Sequence, residues 1–265
     1  MRTHVDEWVD WLRIDRGRSE NTVATYMRTI RTLPGDDPLA LTQEELEAWW
    51  RDRGERKAST RNNELSAVRM FYKWATRFDH RPDDPTRRLD LLKAPKRVSR
   101  FMGKSDLHRL LETLPSELRR AVALGAYGGL RVAEAASLSW SDVSEESRRI
   151  VVRGKGDKER HVAIPATLLD HLLPNPGGGA NVVTGTTEAL SANVLQKRVN
   201  RAIKAAGVDA TFHKLRHRYG YKSAEAGIPA TSIANAMGHE SLSTTMGYIA
   251  AVDSDLDRIA EAVTR

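Results

Sequence analysis

Two short runs rich in β-branched residues, Arg149-Ile-Val-Val-Arg153 and Arg160-His-Val-Ala-Ile164, flank a Gly-rich segment, Gly154-Lys-Gly-Asp-Lys158. Such runs on either side of a glycine turn form the pattern of an antiparallel hairpin. This is the one clear β signal in the chain, and helical periodicity lies before and after it. The expected fold class is therefore mainly α with a small β-sheet or hairpin in the C-terminal half.

At 265 residues the chain is long for one domain, because domains run to about 100–200 residues each. Residues 1–86 read as a helical domain. Ser19 can cap a helix whose residues Val23, Tyr26, Ile30 and Leu33 share one face. Thr42-Gln-Glu-Glu45 has the capping-box form and opens a segment carrying Leu46, Trp49 and Trp50. A third helix is expected from about Ser59 through Leu65, Val68, Tyr72 and Ala75. Its other face carries Arg61, Arg69 and Lys73, suited to contacts with a phosphate backbone. The aromatics of this half read as core, and Asp83-Asp84-Pro85 ends the pattern, since a residue before proline avoids the helical region.

Charge marks the next segment. Between residues 87 and 104 stand seven basic residues (Arg87, Arg88, Lys93, Lys96, Arg97, Arg100 and Lys104) and one acid, Asp90, which is +6 of the net +7. We read 87–104 as a basic interdomain linker that straps across phosphates, where Lys and Arg release condensed counterions on binding. A second domain spans 105–265. Ser105 is expected to cap a helix with Leu107, Leu110, Leu111 and Leu114 on one face. Another helix runs from about Glu117 to Tyr127, Gly128-Gly129 interrupts it, and helix resumes at Val132. The segment Asn175–Ala180 reads as a loop, and the pattern is helical again from Asn193.

The chain has no cysteine, which removes disulfides, thiolate nucleophiles and Cys-type zinc sites and fits a reducing interior. It has no run of about 18 apolar residues and no secretory h-region at its start. A cytoplasmic protein with no membrane partner is expected. The pI near 9.7 favours a polyanionic partner.

His213 and Arg216 are three residues apart and so share a helix face. If that helix starts near Thr211, both lie close to its positive end, where phosphate binds well. Gly238 can end a helix in a left-handed cap beside His239. Tyr248 follows His213 by 35 residues and His239 by nine. In this order the segments resemble the tyrosine recombinase (phage integrase) family. The family's first box is matched by Tyr127-Gly-Gly-Leu-Arg131-Val-Ala-Glu134-Ala-Ala-Ser-Leu, and its hairpin lysine by Gly154-Lys155-Gly-Asp-Lys-Glu-Arg160. The second box is matched by His213-Lys-Leu-Arg216-His217, followed by Met237-Gly-His239-Glu-Ser-Leu-Ser-Thr-Thr-Met-Gly-Tyr248. Arg18-Ser-Glu-Asn-Thr-Val-Ala-Thr-Tyr26 is similar to the opening of the family's core-binding domain.

The resemblance implies a two-domain DNA clamp that forms a 3′-phosphotyrosyl intermediate without metal, cofactor or nucleotide energy source. Tyr248 is then the nucleophile. Arg131 and Arg216 clamp the non-bridging oxygens, because guanidinium forks match phosphate geometry. His213 is the expected base for the phenolic proton, with His239 positioning the phosphate. Lys155 is the expected acid for the leaving 5′-oxygen, ahead of Lys158 on the same turn. Glu134 orients Arg131, and His161 and His217 read as structural or phosphate-side residues. Met246-Gly247 and Arg218-Tyr-Gly-Tyr221 depart from the family's usual residues, and glycine at 247 is expected to loosen the nucleophile's helix.

Beyond Tyr248, Val252, Leu256, Ile259 and Val263 share one helical face. A helix over 252–265 packs on its own domain or docks in trans on a neighbouring protomer. The core-binding pattern begins almost at Met1, as in a compact integrase or Xer-type recombinase without an N-terminal arm-binding domain. The resemblance implies a site-specific recombinase acting in phage or mobile-element integration and excision. Its partners would be double-stranded DNA with core-type attachment sites, further copies forming a homo-tetramer from free monomers, and a directionality factor. The competing readings are a type IB topoisomerase-like enzyme, a Xer-type dimer resolvase and a silent DNA-binding regulator on the same fold. The acidic pairs Asp36-Asp37 and Asp83-Asp84 sit beside prolines, where turn roles suit them better than Mg²⁺ ligation.

Overall fold

The computed structural model describes residues 3–93, 102–154, 159–173, 180–239 and 241–250. The chain divides into two compact units, Met1–Arg97 and Val98–Arg265.

The first unit is built from α1 (His4–Ile14), α2 (Glu20–Ile30), α3 (Gln43–Asp52) and α4 (Ala58–Arg77). Caps explain the starts of three of them. The Thr3 and Asp6 side chains and the Thr42 and Glu45 side chains form capping boxes for α1 and α3, and Ser19 accepts from the Thr22 amide at α2. The α4 helix begins one residue before the expected Ser59, and its cap residue Lys57 makes no side-chain bond. Trp8, Leu12, Leu46, Leu65, Phe71 and Tyr72 are fully buried together, so most of the aromatics are core, whereas Phe78 stays 46% exposed. The Tyr72 hydroxyl donates to the Pro38 carbonyl at 2.6 Å, which satisfies its polar end inside that core.

Three expectations for this unit are corrected. Arg61 does not face outward for phosphate: its guanidinium lies 4.2 Å over the Trp50 ring and donates to the Trp50 carbonyl at 2.9 Å. Arg69 donates to the Leu89 carbonyl. The basic stretch does not begin as a free linker either. Leu89 is buried in the first core, and Asn62 holds residue 92 by both its backbone groups at 2.8 and 2.9 Å. An apolar residue amid the charges is enough to fold 87–93 back onto α4. Lys73, Arg87, Arg88 and Lys93 remain exposed. Lys96, Arg97 and Arg100 lie outside the described residues, and Lys104 opens the next helix.

The second unit holds α5 (Lys104–Thr113), α6 (Ser116–Tyr127), α7 (Val132–Ser137), β1 (Val143–Ser144), β2 (Arg149–Arg153), β3 (Glu159–Ala163), α8 (Ala166–Leu172), α9 (Ala192–Ala205), α10 (Phe212–Glu225), α11 (Ala230–Met237) and α12 (Leu242–Ile249). Gly103, not Ser105, is the cap of α5. The hairpin is present, with Ile150 opposite Val162 and Val152 opposite Arg160, and β1 adds a third antiparallel strand. Ile150, Val152 and Val162 point into the core, as the period of two requires. The α6 helix runs through the centre of the unit, with Ala121 to Ala126 buried. Its Gly125 lets α10 approach: a Cβ there would sit 3.2 Å from both Leu215 and Phe212. Among the described residues no helix is long and apolar enough to cross a membrane.

Candidate active site

The site grows from one buried carboxylate. Arg131 sits at the N-cap of α7, so Glu134 on the first turn reaches back to it. The Glu134 carboxylate accepts from the Arg131 amide at 2.7 Å and from Arg131 Nη1 at 2.8 Å. It also accepts both terminal nitrogens of Arg160, at 2.8 Å each, in a bidentate fork. Arg216 Nη1 approaches within 3.8 Å. Burial on its own would raise the Glu134 pKa. The bonds from Arg160 and from the Arg131 amide outweigh it and lower the value to about 2. Three guanidinium cations therefore share one anion, which leaves a strongly cationic receptor for further negative charge.

Arg216 projects from α10 into the core and is almost wholly buried. Its Nη1 donates to the Gly129 carbonyl at 2.6 Å and its Nη2 to the Met237 carbonyl at 2.5 Å. Burial and the Arg131 charge lower its pKa to about 10, so it stays cationic at neutral pH. Arg131 Nη2 donates to the Gly238 carbonyl. Gly238 ends α11 in the left-handed conformation, φ 65°, and a Cβ there would crowd Arg160 and Arg131 at 3.0 and 3.2 Å. Backbone carbonyls from two helix ends thus hold both arginines in place.

Two adjoining hollows, each of about 660 Å³, open on this receptor and share Arg131, Ala133 and His239. One contains Arg160, Glu134 and Gly238, and the other contains His213 and Arg216. His213 lies in the first turn of α10 with one face exposed. Burial of the other face and the charges of Arg216 and Arg131 lower its pKa. His239 Nδ1 lies 2.8 Å from the Thr245 hydroxyl, and burial with Arg216, Arg131 and Arg160 lowers its pKa to about 4. Both imidazoles are neutral at pH 7, and each can offer a hydrogen bond to a bound anion.

Tyr248 lies on α12, buried, and is not among the residues lining either hollow. Its hydroxyl is 2.9 Å from His217 Nδ1. The His213 ring meets the His217 ring edge-on at 4.2 Å. His217 therefore stands at the phenol, and His213, the expected base, adjoins it on the same helix. Residues 213 and 217, four apart, share one face of α10. Burial raises the Tyr248 pKa, and the Arg216 charge partly offsets it. Gly247 does not break α12, which is helical through Ile249. His161 is exposed on β3.

Lys155, Lys158 and residues 252–265 lie outside the described residues. The sequence pattern assigns no role to Arg160 or Thr245. The signals present were an arginine five residues beyond the hairpin lysine and a threonine six beyond His239. Among the described residues one group of three metal-type ligands converges: His4, Glu7 and His80 of the first unit, with ligand atoms within 4.8 Å of one another.

A helical unit is thus followed by a unit that carries a cationic anion receptor and a buried tyrosine whose hydroxyl meets a histidine. The phage integrase family model matches residues 97–254, and the model of its N-terminal SAM-like domain matches residues 5–78. Tyrosine recombinase XerD of Yersinia pestis is 28% identical over 272 residues, covering 92% of this chain and 91% of that protein. Tyrosine recombinase XerA of Thermococcus kodakarensis is 30% identical over 258 residues, covering 92% and 89%. The solved lambda integrase (75–356) dimer bound to a COC′ core site shares the fold, with a TM-score of 0.75, 23% identity and coverage of 93% and 94%. The chain belongs to the phage integrase family of tyrosine recombinases, enzymes that cleave and rejoin DNA strands.

Proposed function

We propose that this protein is a site-specific DNA recombinase that integrates and excises a phage or mobile element, joining DNA through a phosphotyrosyl bond at Tyr248. The observation that carries the reading is the convergence of Arg131, Arg216, His213 and His239 on adjoining hollows beside that phenol. The scissile phosphate binds there, and Arg131 and Arg216 neutralise the charge that develops on its non-bridging oxygens. His213 and His239 add hydrogen bonds. Tyr248 passes its proton to His217, and Lys155 gives one to the leaving 5′-oxygen.

The exposed cations Lys73, Arg87, Arg88, Lys93 and Lys104 bind backbone phosphates of the duplex. Four copies act on two duplexes. A lambda integrase tetramer on a Holliday junction has the same fold, with a TM-score of 0.73, which supports the assembly. A Xer-type role in dimer resolution is the second reading, favoured by the near full-length match to proteins named XerD and XerA.

The test begins with a core site recovered from random duplexes by binding to the Tyr248→Phe protein. A nicked duplex of that site should trap a covalent adduct with the wild type, in the presence of a chelator, and none with Tyr248→Phe. An adduct that persists in Tyr248→Phe overturns the assignment of the nucleophile. Two such sites on one plasmid should yield recombinants; relaxation alone would favour a topoisomerase-like enzyme.

A further inference from the structure

Thr245 is a polar side chain shut off from solvent. It lies on α12, 0% exposed, one helical turn before Tyr248. The threonines Thr25, Thr29 and Thr76 turn their hydroxyls to the carbonyl four residues back in their own helices. Thr245 instead spends its hydroxyl on His239, whose Nδ1 is 2.8 Å away. Among the described residues that hydroxyl makes no other hydrogen bond. The His239 amide donates to the Ala234 carbonyl at 2.9 Å, so the residue is fixed from its backbone as well. Its ring lines both hollows of the receptor, and its Nε2 has no hydrogen-bond partner among the described residues.

Two arrangements of protons can join this pair. A neutral imidazole carries one N–H and one bare nitrogen. With the proton on Nδ1, the ring would donate to Thr245, and the threonine's own proton would be buried without an acceptor. Leaving a buried donor unsatisfied is the costly outcome. With the hydroxyl donating to a bare Nδ1, both groups are satisfied and the N–H falls on Nε2. That tautomer can donate to an anion in the hollows, whereas the other would turn a lone pair towards it.

We propose that Thr245 is a positioning residue for strand cleavage. Its hydroxyl holds His239 as the Nε2–H tautomer, and that N–H donates to a non-bridging oxygen of the scissile phosphate. The inference rests on the function proposed above. His239 keeps its proton throughout and acts by hydrogen bonding, so Thr245 should matter only while His239 is present.

The test combines spectra with a double-mutant cycle. In nitrogen-15 spectra of the wild type at pH 7, the His239 signals, assigned by their loss in His239→Ala, should show a protonated Nε2 and a bare Nδ1. A proton on Nδ1 overturns the proposal, and this reading needs no variant of Thr245 to fold. Adduct formation on the nicked duplex is then followed for Thr245→Val, which keeps the shape and loses the hydroxyl. It should react about 10-fold more slowly, the scale of one hydrogen bond to a charged group. Thr245→Ser, which restores the hydroxyl, should recover most of the rate. In a His239→Ala background, Thr245→Val should slow the reaction no further. A full deficit in that background would mean that Thr245 acts by seating Tyr248 on the same helix, and it overturns the proposal. So does an unchanged rate in Thr245→Val. If the wild type itself forms no adduct, the functional reading fails, while the spectra still decide the tautomer.

Discussion

His217 Nδ1 lies 2.9 Å from the Tyr248 hydroxyl, and the two rings meet at a steep angle of 67°. Burial lowers the His217 pKa to about 4, helped by His213, Arg216 and His239. At neutral pH the ring is uncharged, so Nδ1 can accept the phenolic proton while Nε2 carries the N–H. His217→Ala should therefore slow adduct formation by about 10²-fold or more, the usual contribution of a positioned base, with DNA affinity unchanged. Single-turnover kinetics on the nicked duplex measure this, and equal rates in variant and wild type would remove His217 from the proton transfer.

The seat of that tyrosine depends on a glycine in α10. A Cβ at Gly220 would fall 2.5 Å from the Tyr248 ring, whereas one at Gly247, directly beside the tyrosine, would meet nothing within 4 Å. Gly220→Ala should push the ring aside, destabilise the second unit by about 1–3 kcal/mol and abolish cleavage. Gly247→Ala should do the reverse to stability, gaining up to about 1 kcal/mol from helix propensity, and leave cleavage intact. Thermal melting with the adduct assay separates them; a Gly220→Ala protein that cleaves normally would contradict this packing.

How far the site was legible depended on what each residue leans on. Spacing along one helix or across one turn shows in a sequence, so Arg131 with Glu134, and His213 with Arg216, stand out. Arg216 is anchored by the carbonyls of Gly129 and Met237, and Arg160 by Ala236 and a carboxylate 26 residues earlier. Backbone carbonyls carry no residue signature, so those ties stay hidden. Periodicity put Arg61 and Arg69 opposite the core of α4 but could not reveal that Trp50 and Leu89 lie there to receive them. The two-residue strand β1 is too short to leave a period. The helix caps at Ser19 and Thr42 are legible because their bonds close within three residues.

That difference between α4 residues has a measurable outcome. Arg61 packs on Trp50 while Lys73 is exposed on the same helix. Arg61→Ala should lower the melting temperature of the helical unit, since it removes a cation–π contact worth about 0.5–2 kcal/mol as well as a hydrogen bond. Lys73→Ala should leave melting alone and weaken DNA binding across sequences, reducing the salt slope by about 1. Binding titrations at several salt concentrations decide it, and a salt slope lowered by Arg61→Ala alone would reverse the assignment.

The histidines around the receptor make the second unit sensitive to mild acid. His217 and His239 have folded pKa values near 4, and His171 and His213 are lowered as well, in each case first through burial. A histidine with a depressed folded pKa binds more protons when unfolded. Between about pH 6.5 and the lower folded value, stability therefore falls as pH falls. Glu134 acts in a separate window: its folded pKa is depressed to about 2, so its contribution is present above the unfolded carboxylate value and is lost only as pH drops through about 2. Comparing pH 7.5 with about pH 5 thus isolates the histidines, whose reference value is about 6.5. The melting temperature should drop on acidification by roughly 2–4 °C for each kcal/mol lost. His217→Gln, which cannot take up a proton in either state, should show a smaller drop than the wild type. Identical drops in the two proteins would mean that His217 is not held neutral by the fold.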